Sequence, residues 1–133
     1  SQRAALAGAV IVSKPQDLAL SDARKGMNVF RKVNVPLLGI IENMSHFVCT
    51  ECGASHEIFG NGGARAEAAK LGVPFLGEVP LEIVIRTTSD EGTPIVASQP
   101  DSPHAAHYGA IAEAVLQTLE RNTPKASPKI IVE

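Results

Sequence analysis

Leu37-Leu38-Gly39-Ile40-Ile41-Glu42-Asn43-Met44-Ser45 is the stretch on which the fold turns. Pro36 introduces a continuous apolar run, residues 37–41, which is the pattern of a short strand covered on both faces; a strand with one wet face would alternate. Ala9-Val10-Ile11-Val12 is a second run of the same kind, ended by Lys14-Pro15. Between the two, Leu20, Ala23, Met27 and Phe30 recur at spacings of three and four, while Arg24, Lys25, Arg31 and Lys32 fall elsewhere. That spacing predicts an amphipathic helix with Asp17 as its N-cap and a basic last turn suited to the helix dipole. A crossover helix of this length joins parallel strands, so the fold class is α/β.

The same alternation continues downstream. Residues 59–63 (Phe59-Gly60-Asn61-Gly62-Gly63) read as a loop leading into a helix over 64–71, closed by Gly72 in a left-handed conformation. A third strand is expected over 75–79 and ends at Pro80. A short helix follows over 82–88, then a loop with an extended piece over 92–96 and an irregular stretch over 98–102. Ser102-Pro103 reads as N-cap and first helical residue of a last helix to about Arg121. Its expected buried stripe is Tyr108, Ile111, Ala112, Val115 and Leu119. Three parallel strands with flanking helices make only a partial sheet. An interior-type strand this close to Ser1, with no methionine before it, leads us to expect that part of a larger protein precedes the chain.

The chemistry concentrates just beyond the deciding strand, where open α/β sheets place their ligands. Cys49 and Cys52 are the chain's only cysteines, and His46 and His56 flank them. A two-residue spacing lets both sulfurs face one point, and Gly53 allows a sharp exit. Such a pair supplies half of a four-thiolate zinc or iron-sulfur site, so the other ligands must come from His46 and His56 or from a second copy of the chain. Three readings compete: cluster or metal ligation, a structural zinc module, and a thiol-disulfide redox pair. The last requires a lowered thiol pKa. The pair His104 and His107 reads as an exposed first helical turn, and Gly60-Asn61-Gly62-Gly63 as a plain turn, since it does not match the phosphate-loop pattern G-x-x-x-x-G-K-[ST].

Composition narrows the classes further. At 133 residues, with 44% apolar and 20% charged side chains, the chain is the size of one globular domain. A net charge of -2 with dispersed basic residues and five aromatics (four Phe, one Tyr, no Trp) argues against nucleic-acid binding. No apolar run approaches the ~20 residues of a membrane span, and no signal peptide opens the chain. These features point to a soluble protein, expected in the cytoplasm or, alternatively, the mitochondrial matrix. In a reducing compartment two cysteines favour metal or redox chemistry over a structural disulfide.

The order of the motifs is more specific than any one of them. Gly8-Ala9-Val10-Ile11-Val12, Pro15-Gln16-Asp17, Glu42-Asn43-Met44-Ser45, Cys49-x-x-Cys52, Ile58-Phe59-Gly60, Gly77-Glu78-Val79-Pro80-Leu81 and Gly92-Thr93-Pro94 succeed one another here. Together they resemble the C-terminal half of the Mrp/ApbC-type P-loop proteins, the iron-sulfur cluster carriers related to MinD and to the nitrogenase iron protein. The resemblance covers about residues 8–119. It implies a MinD-like P-loop NTPase half-domain over residues 1–121, with the CxxC insertion at 46–56 and a flexible tail at 122–133. It further implies a homodimer in which Cys49 and Cys52 of each subunit hold one bridging 4Fe-4S cluster, delivered to apo iron-sulfur proteins. Zinc is a possible substitute. The resemblance also implies that Asn43 reads the adenine of ATP and that the turn at Glu78, Val79 and Pro80 lines the base. The family's Walker A loop and its magnesium-holding acids have no counterpart in the chain, so the chain alone is not expected to hydrolyse ATP, although the family's full-length members are ATPases that use ATP and Mg.

Overall fold

A computed structural model describes residues 6–122; of the tail expected over 122–133, Asn122 is the last residue of the final helix and the rest lies outside the described residues. The elements are β1 (Ala9–Ser13), α1 (Asp17–Lys32), β2 (Leu37–Val48), β3 (Ser55–His56), α2 (Gly63–Leu71), β4 (Phe75–Leu81), α3 (Ile83–Asp90), α4 (Ile95–Ser98) and α5 (Pro103–Asn122). β2 is the centre of the sheet: it runs parallel to β1, with Ile11 opposite Ile40, and parallel to β4, with Ile41 opposite Gly77. The α/β class and the parallel pairing expected from the apolar runs are therefore present.

The core forms where the α1 stripe meets the sheet. Leu20, Ala23 and Met27 pack with Ile11, Ile40, Ala64 and Ala68, and Phe30, Leu71, Val73 and Phe75 close the cluster. Full burial of a side chain such as Met27 or Ile40 contributes ~1.5–3 kcal/mol. Glu67 of α2 accepts hydrogen bonds from the Arg24 guanidinium of α1, which ties the two covering helices together. Consecutive strand residues point to opposite faces. Ile40 faces α1 and α2, and the next residue's partner, Gly77, lies under Ile111 of α5. A Cβ at Gly77 would stand 2.7 Å from Ile111 Cγ1, so only glycine lets α5 approach the sheet this closely.

Several boundaries differ from the sequence reading, each for a local reason. α1 begins at Asp17 itself, with Gln16 in the cap position and no side-chain cap bond. The acid therefore acts as a first-turn charge on the helix dipole rather than as the cap. β4 continues through Pro80 to Leu81, because the ladder to β2 uses Val79 and Leu81 and asks for no N–H from the proline. The piece expected to be extended after Gly92 instead forms the short helix α4. Ser102 caps α5 as expected, its Oγ accepting the Ala105 N–H at 3.1 Å. On α5, Ala112 is exposed and Thr118 is buried, its hydroxyl donating to the Ala114 carbonyl at 2.9 Å. β1 was expected to be covered on both faces, but Val12 is 58% exposed. Among the described residues the ladder partner of β1 is β2 alone.

The largest difference lies in β2, which does not stop at Ile41. It runs 12 residues, through Glu42-Asn43-Met44-Ser45 to Val48, and there turns back to pair antiparallel with β3. The register shifts between Asn43 and Phe47, and Met44 takes φ 56°, a left-handed conformation uncommon outside glycine. Asn43 Oδ1 accepts the Met44 N–H at 3.0 Å, the local side-chain bond by which Asn stabilises such a bend.

Candidate metal centre

The cysteines sit on the tip of the hairpin that β2 and β3 form. Phe47 pairs with His56 and Val48 with Ser55. Beyond Val48, the Cys49 N–H donates to the Ala54 carbonyl and the Gly53 N–H to the Cys49 carbonyl, both at 2.9 Å. Gly53, at φ 74°, supplies the left-handed step that closes the turn. Both thiols are free, Cys49 half-buried and Cys52 exposed. The backbone N–H groups of Cys52 and Glu51, and then the Cys52 side chain, point at the Cys49 sulfur and hold its pKa below that of an ordinary thiol. A thiolate is both the metal ligand and the nucleophile, so the turn prepares Cys49 for either role.

The histidines do not complete the set. His46 Nδ1 lies 3.1 Å from Ser45 Oγ, and His56 is exposed in β3. Among the described residues no group of three or more His, Cys, Asp or Glu side chains is placed to hold a metal ion. Among the described residues the hairpin thus presents two thiols with no third candidate ligand grouped beside them. The other histidine pair, His104 and His107, is half-buried rather than exposed in the first turn of α5.

The residues suggested for a nucleotide base are brought only partly together. Asn43 lies directly opposite Val79 across the β2–β4 ladder, inside both strands rather than at their ends. Val79 is 4% exposed and Pro80 is buried, leaving their backbone rather than their side chains to line anything. The Val79 carbonyl accepts a long 3.4 Å bond from Ser45 Oγ. Asn43 and Met44 border a cavity of about 510 Å³ between β1 and α1, which also includes Ser13, Lys14 and Asp22. Glu78 borders a different cavity of about 220 Å³, beneath α5 beside His107 and Ile111.

Sequence reasoning assigned no role to Glu42, which is fully buried. Its Oε1 accepts the Ala64 N–H at 3.1 Å, and its Oε2 has no hydrogen-bond partner among the described residues. A buried oxygen left unpaired costs ~1–3 kcal/mol. The signal was available in the sequence: Glu42 stands two positions after Ile40 and so on the same, buried face of the strand.

Comparison with known proteins fits this geometry. A family model described as ParA, the NUBPL iron-transfer P-loop NTPases, matches residues 1–116. An iron-sulfur cluster transfer protein NUBPL of Dictyostelium discoideum is 50% identical over 136 residues, covering 98% of this chain and 42% of that protein. An iron-sulfur cluster carrier protein of Salmonella typhimurium is 47% identical over 119 residues, covering 90% of this chain and 32% of its own length. The chain therefore spans well under half the length of the curated relatives it matches. Among solved structures, the septum site-determining protein MinD of Pyrococcus horikoshii, complexed with Mg-ADP, superposes with TM-score 0.64 at 28% identity, covering 81% of this chain and 40% of that one. With its parallel sheet, its flanking helices and a match over nearly its whole length, the chain belongs to the ParA/NUBPL family of iron-transfer P-loop NTPases.

Proposed function

We propose that this chain binds an iron-sulfur cluster as cargo through Cys49 and Cys52 and passes it to apo iron-sulfur proteins. The observation that carries the reading is the hairpin tip, where two free thiols are presented, one primed by backbone N–H groups, with no further ligand grouped with them among the described residues. Two thiolates per chain match a 4Fe-4S cluster when two chains face each other through their hairpins, because such a cluster takes four. An exposed site suits transfer, since a recipient's thiolates can reach the iron by ligand exchange without the carrier unfolding. The names of the relatives support the same reading.

Residues 1–121 act in this proposal as the C-terminal half of a P-loop NTPase domain. Asn43 and the backbone at Glu78, Val79 and Pro80 contribute part of a site for the base of ATP, with the NH2 group of Asn43 left to donate once its Oδ1 is taken by Met44. Phosphate and magnesium contacts dominate the chemistry of such enzymes. Residues 1–133 carry no G-x-x-x-x-G-K-[ST] loop, so the proposal assigns this chain cluster binding and no phosphate cradle.

Anaerobic reconstitution with ferrous iron and sulfide tests the reading. The wild-type chain gains the broad visible absorption of a cluster, and Cys49→Ser and Cys52→Ser each lose it. Equal reconstitution of the serine variants contradicts the proposal. Zinc held by the anaerobically prepared chain and not exchanged for iron makes the hairpin a structural zinc module instead.

A further inference from the structure

We propose that Glu42 is the positioning residue of the cysteine hairpin: its carboxyl group pins the start of α2 to β2 and so closes the segment 43–63 that carries Cys49 and Cys52. Three observations lead there. First, α2 has no cap of its own. Its N-cap, Gly62, has no side chain and sits at φ 70°, so the first N–H groups of the helix have no local acceptor. Glu42 supplies one from the sheet, its Oε1 accepting the Ala64 N–H at 3.1 Å across 22 residues of sequence. An acidic group at a helix N-terminus is favourable, which accounts for its presence in an apolar core.

Second, Glu42 carries a cost to the fold beside its bond to Ala64. The side chain is fully buried with Oε2 unpaired; an apolar side chain of similar volume would remove that orphan but leave the Ala64 N–H without its acceptor. Third, the tip of the segment it closes is loosely held. β3 contributes a two-residue ladder, and residues 50–58 are exposed throughout. Beyond the hairpin bonds and Ser45, Phe47 pairs with Leu81 of β4, the Lys14 ammonium lies 4.7 Å from the centre of the Phe59 ring, and the returning end meets the core at Ala64. Releasing the Glu42 pin removes the hydrogen bond at the returning end of a long loop, and the hairpin gains conformational freedom that it must lose again to bring two sulfurs to one iron cluster.

The consequence for loading rests on the proposed cluster function; the order of the hairpin does not, and it is measured without iron. The experiment compares amide hydrogen exchange, read by NMR on the apo chain, in wild type, Glu42→Gln and Glu42→Met. Glutamine retains an acceptor oxygen for Ala64, and methionine keeps the volume without one. In Glu42→Met the amides of Ala64, Cys49 and Gly53 are expected to exchange about tenfold faster or more, while those of Ile11 and Ile40 keep wild-type protection. Glu42→Gln is expected to restore the hairpin amides to near wild-type rates and, on reconstitution, to load iron as wild type does, with Glu42→Met loading less. If Glu42→Met does not fold, Glu42→Asp, whose carboxyl is drawn back by one methylene, is expected to show the same selective loosening. Hairpin amides as protected as wild type in a folded Met or Asp variant whose Ala64 amide is exposed overturn the proposal, as does a folded Gln variant with a loosened hairpin. A wild-type chain that loads no cluster defeats the proposed function and leaves these exchange rates to decide the role of Glu42.

Discussion

Between Leu37 and Asn43, β2 has β1 on one side and β4 on the other, and Leu38 and Ile40 are nearly sealed from solvent. Past Val48 the chain turns through Cys49 to Gly53 with only the two-residue β3 beside it, and Cys52 stands in solvent. One strand therefore changes character along its length: its first half is fixed by packing and its last by a few backbone bonds. The contrast teaches that here stability and chemistry are separable. The buried half can be damaged without touching a ligand, and the exposed tip can be rebuilt at little cost to the fold.

The largest effect belongs to the buried half. Met27→Ala removes the centre of the packing between α1 and β2 and should cost ~2–5 kcal/mol in urea or thermal unfolding. A folded Met27→Ala chain should keep both thiols reactive. Loss of thiol reactivity in chains that remain folded would show that the two regions are not independent.

The legibility of the sequence divides along the same line. The α1 stripe and the parallel pairing could be read because burial on a regular element imposes a period, and Leu20, Ala23 and Met27 keep it. Gly72 and Ser102 were legible because their backbone or capping chemistry is local. The hairpin was not. Nothing in Ser45-His46-Phe47-Val48 marks a strand that resumes after a left-handed Met44, because the bend is held by Asn43 and by cross-strand pairing with Ser55 and His56. Glu42 escaped for a related reason, as its partner lies 22 residues away. The cysteines were legible as a candidate pair from their spacing, but whether His46 and His56 stand beside them depended on a hairpin geometry that the spacing does not encode.

A smaller effect sits between the two regions, at Arg24 and Glu67. The hydrogen bond from Arg24 holds the Glu67 carboxyl below the usual carboxylate range. An unfolded glutamate titrates near ~4.3, so this pairing stabilises the fold fully above that pH, and the contribution is lost as pH falls through the depressed native value. Glu67→Gln should lower the thermal midpoint at neutral pH, by less than Met27→Ala does, and flatten the acid limb of a plot of melting temperature against pH. Arg24 is about half exposed, so added salt should reduce the difference. An acid limb unchanged in Glu67→Gln would assign the pH dependence to other carboxylates.

The smallest expected effect is at the tip itself. Cys52→Ser exchanges one exposed atom and should change unfolding free energy by no more than ~0.5 kcal/mol. A larger loss in the apo chain would mean that the thiol serves the fold, and the contrast between the halves of β2 would weaken.

The measurement that tests the account most directly is iron and sulfide content, taken together with particle mass on the anaerobically reconstituted chain. Two thiols per chain, with no third ligand grouped with them among the described residues, predict under the proposed function a dimer carrying one 4Fe-4S cluster, about two irons and two sulfides per chain, with apo protein and Cys49→Ser containing none. A monomer carrying a full complement of about four irons, or a dimer whose cluster persists in Cys49→Ser, would contradict the claim that the two hairpin tips hold the cargo between them.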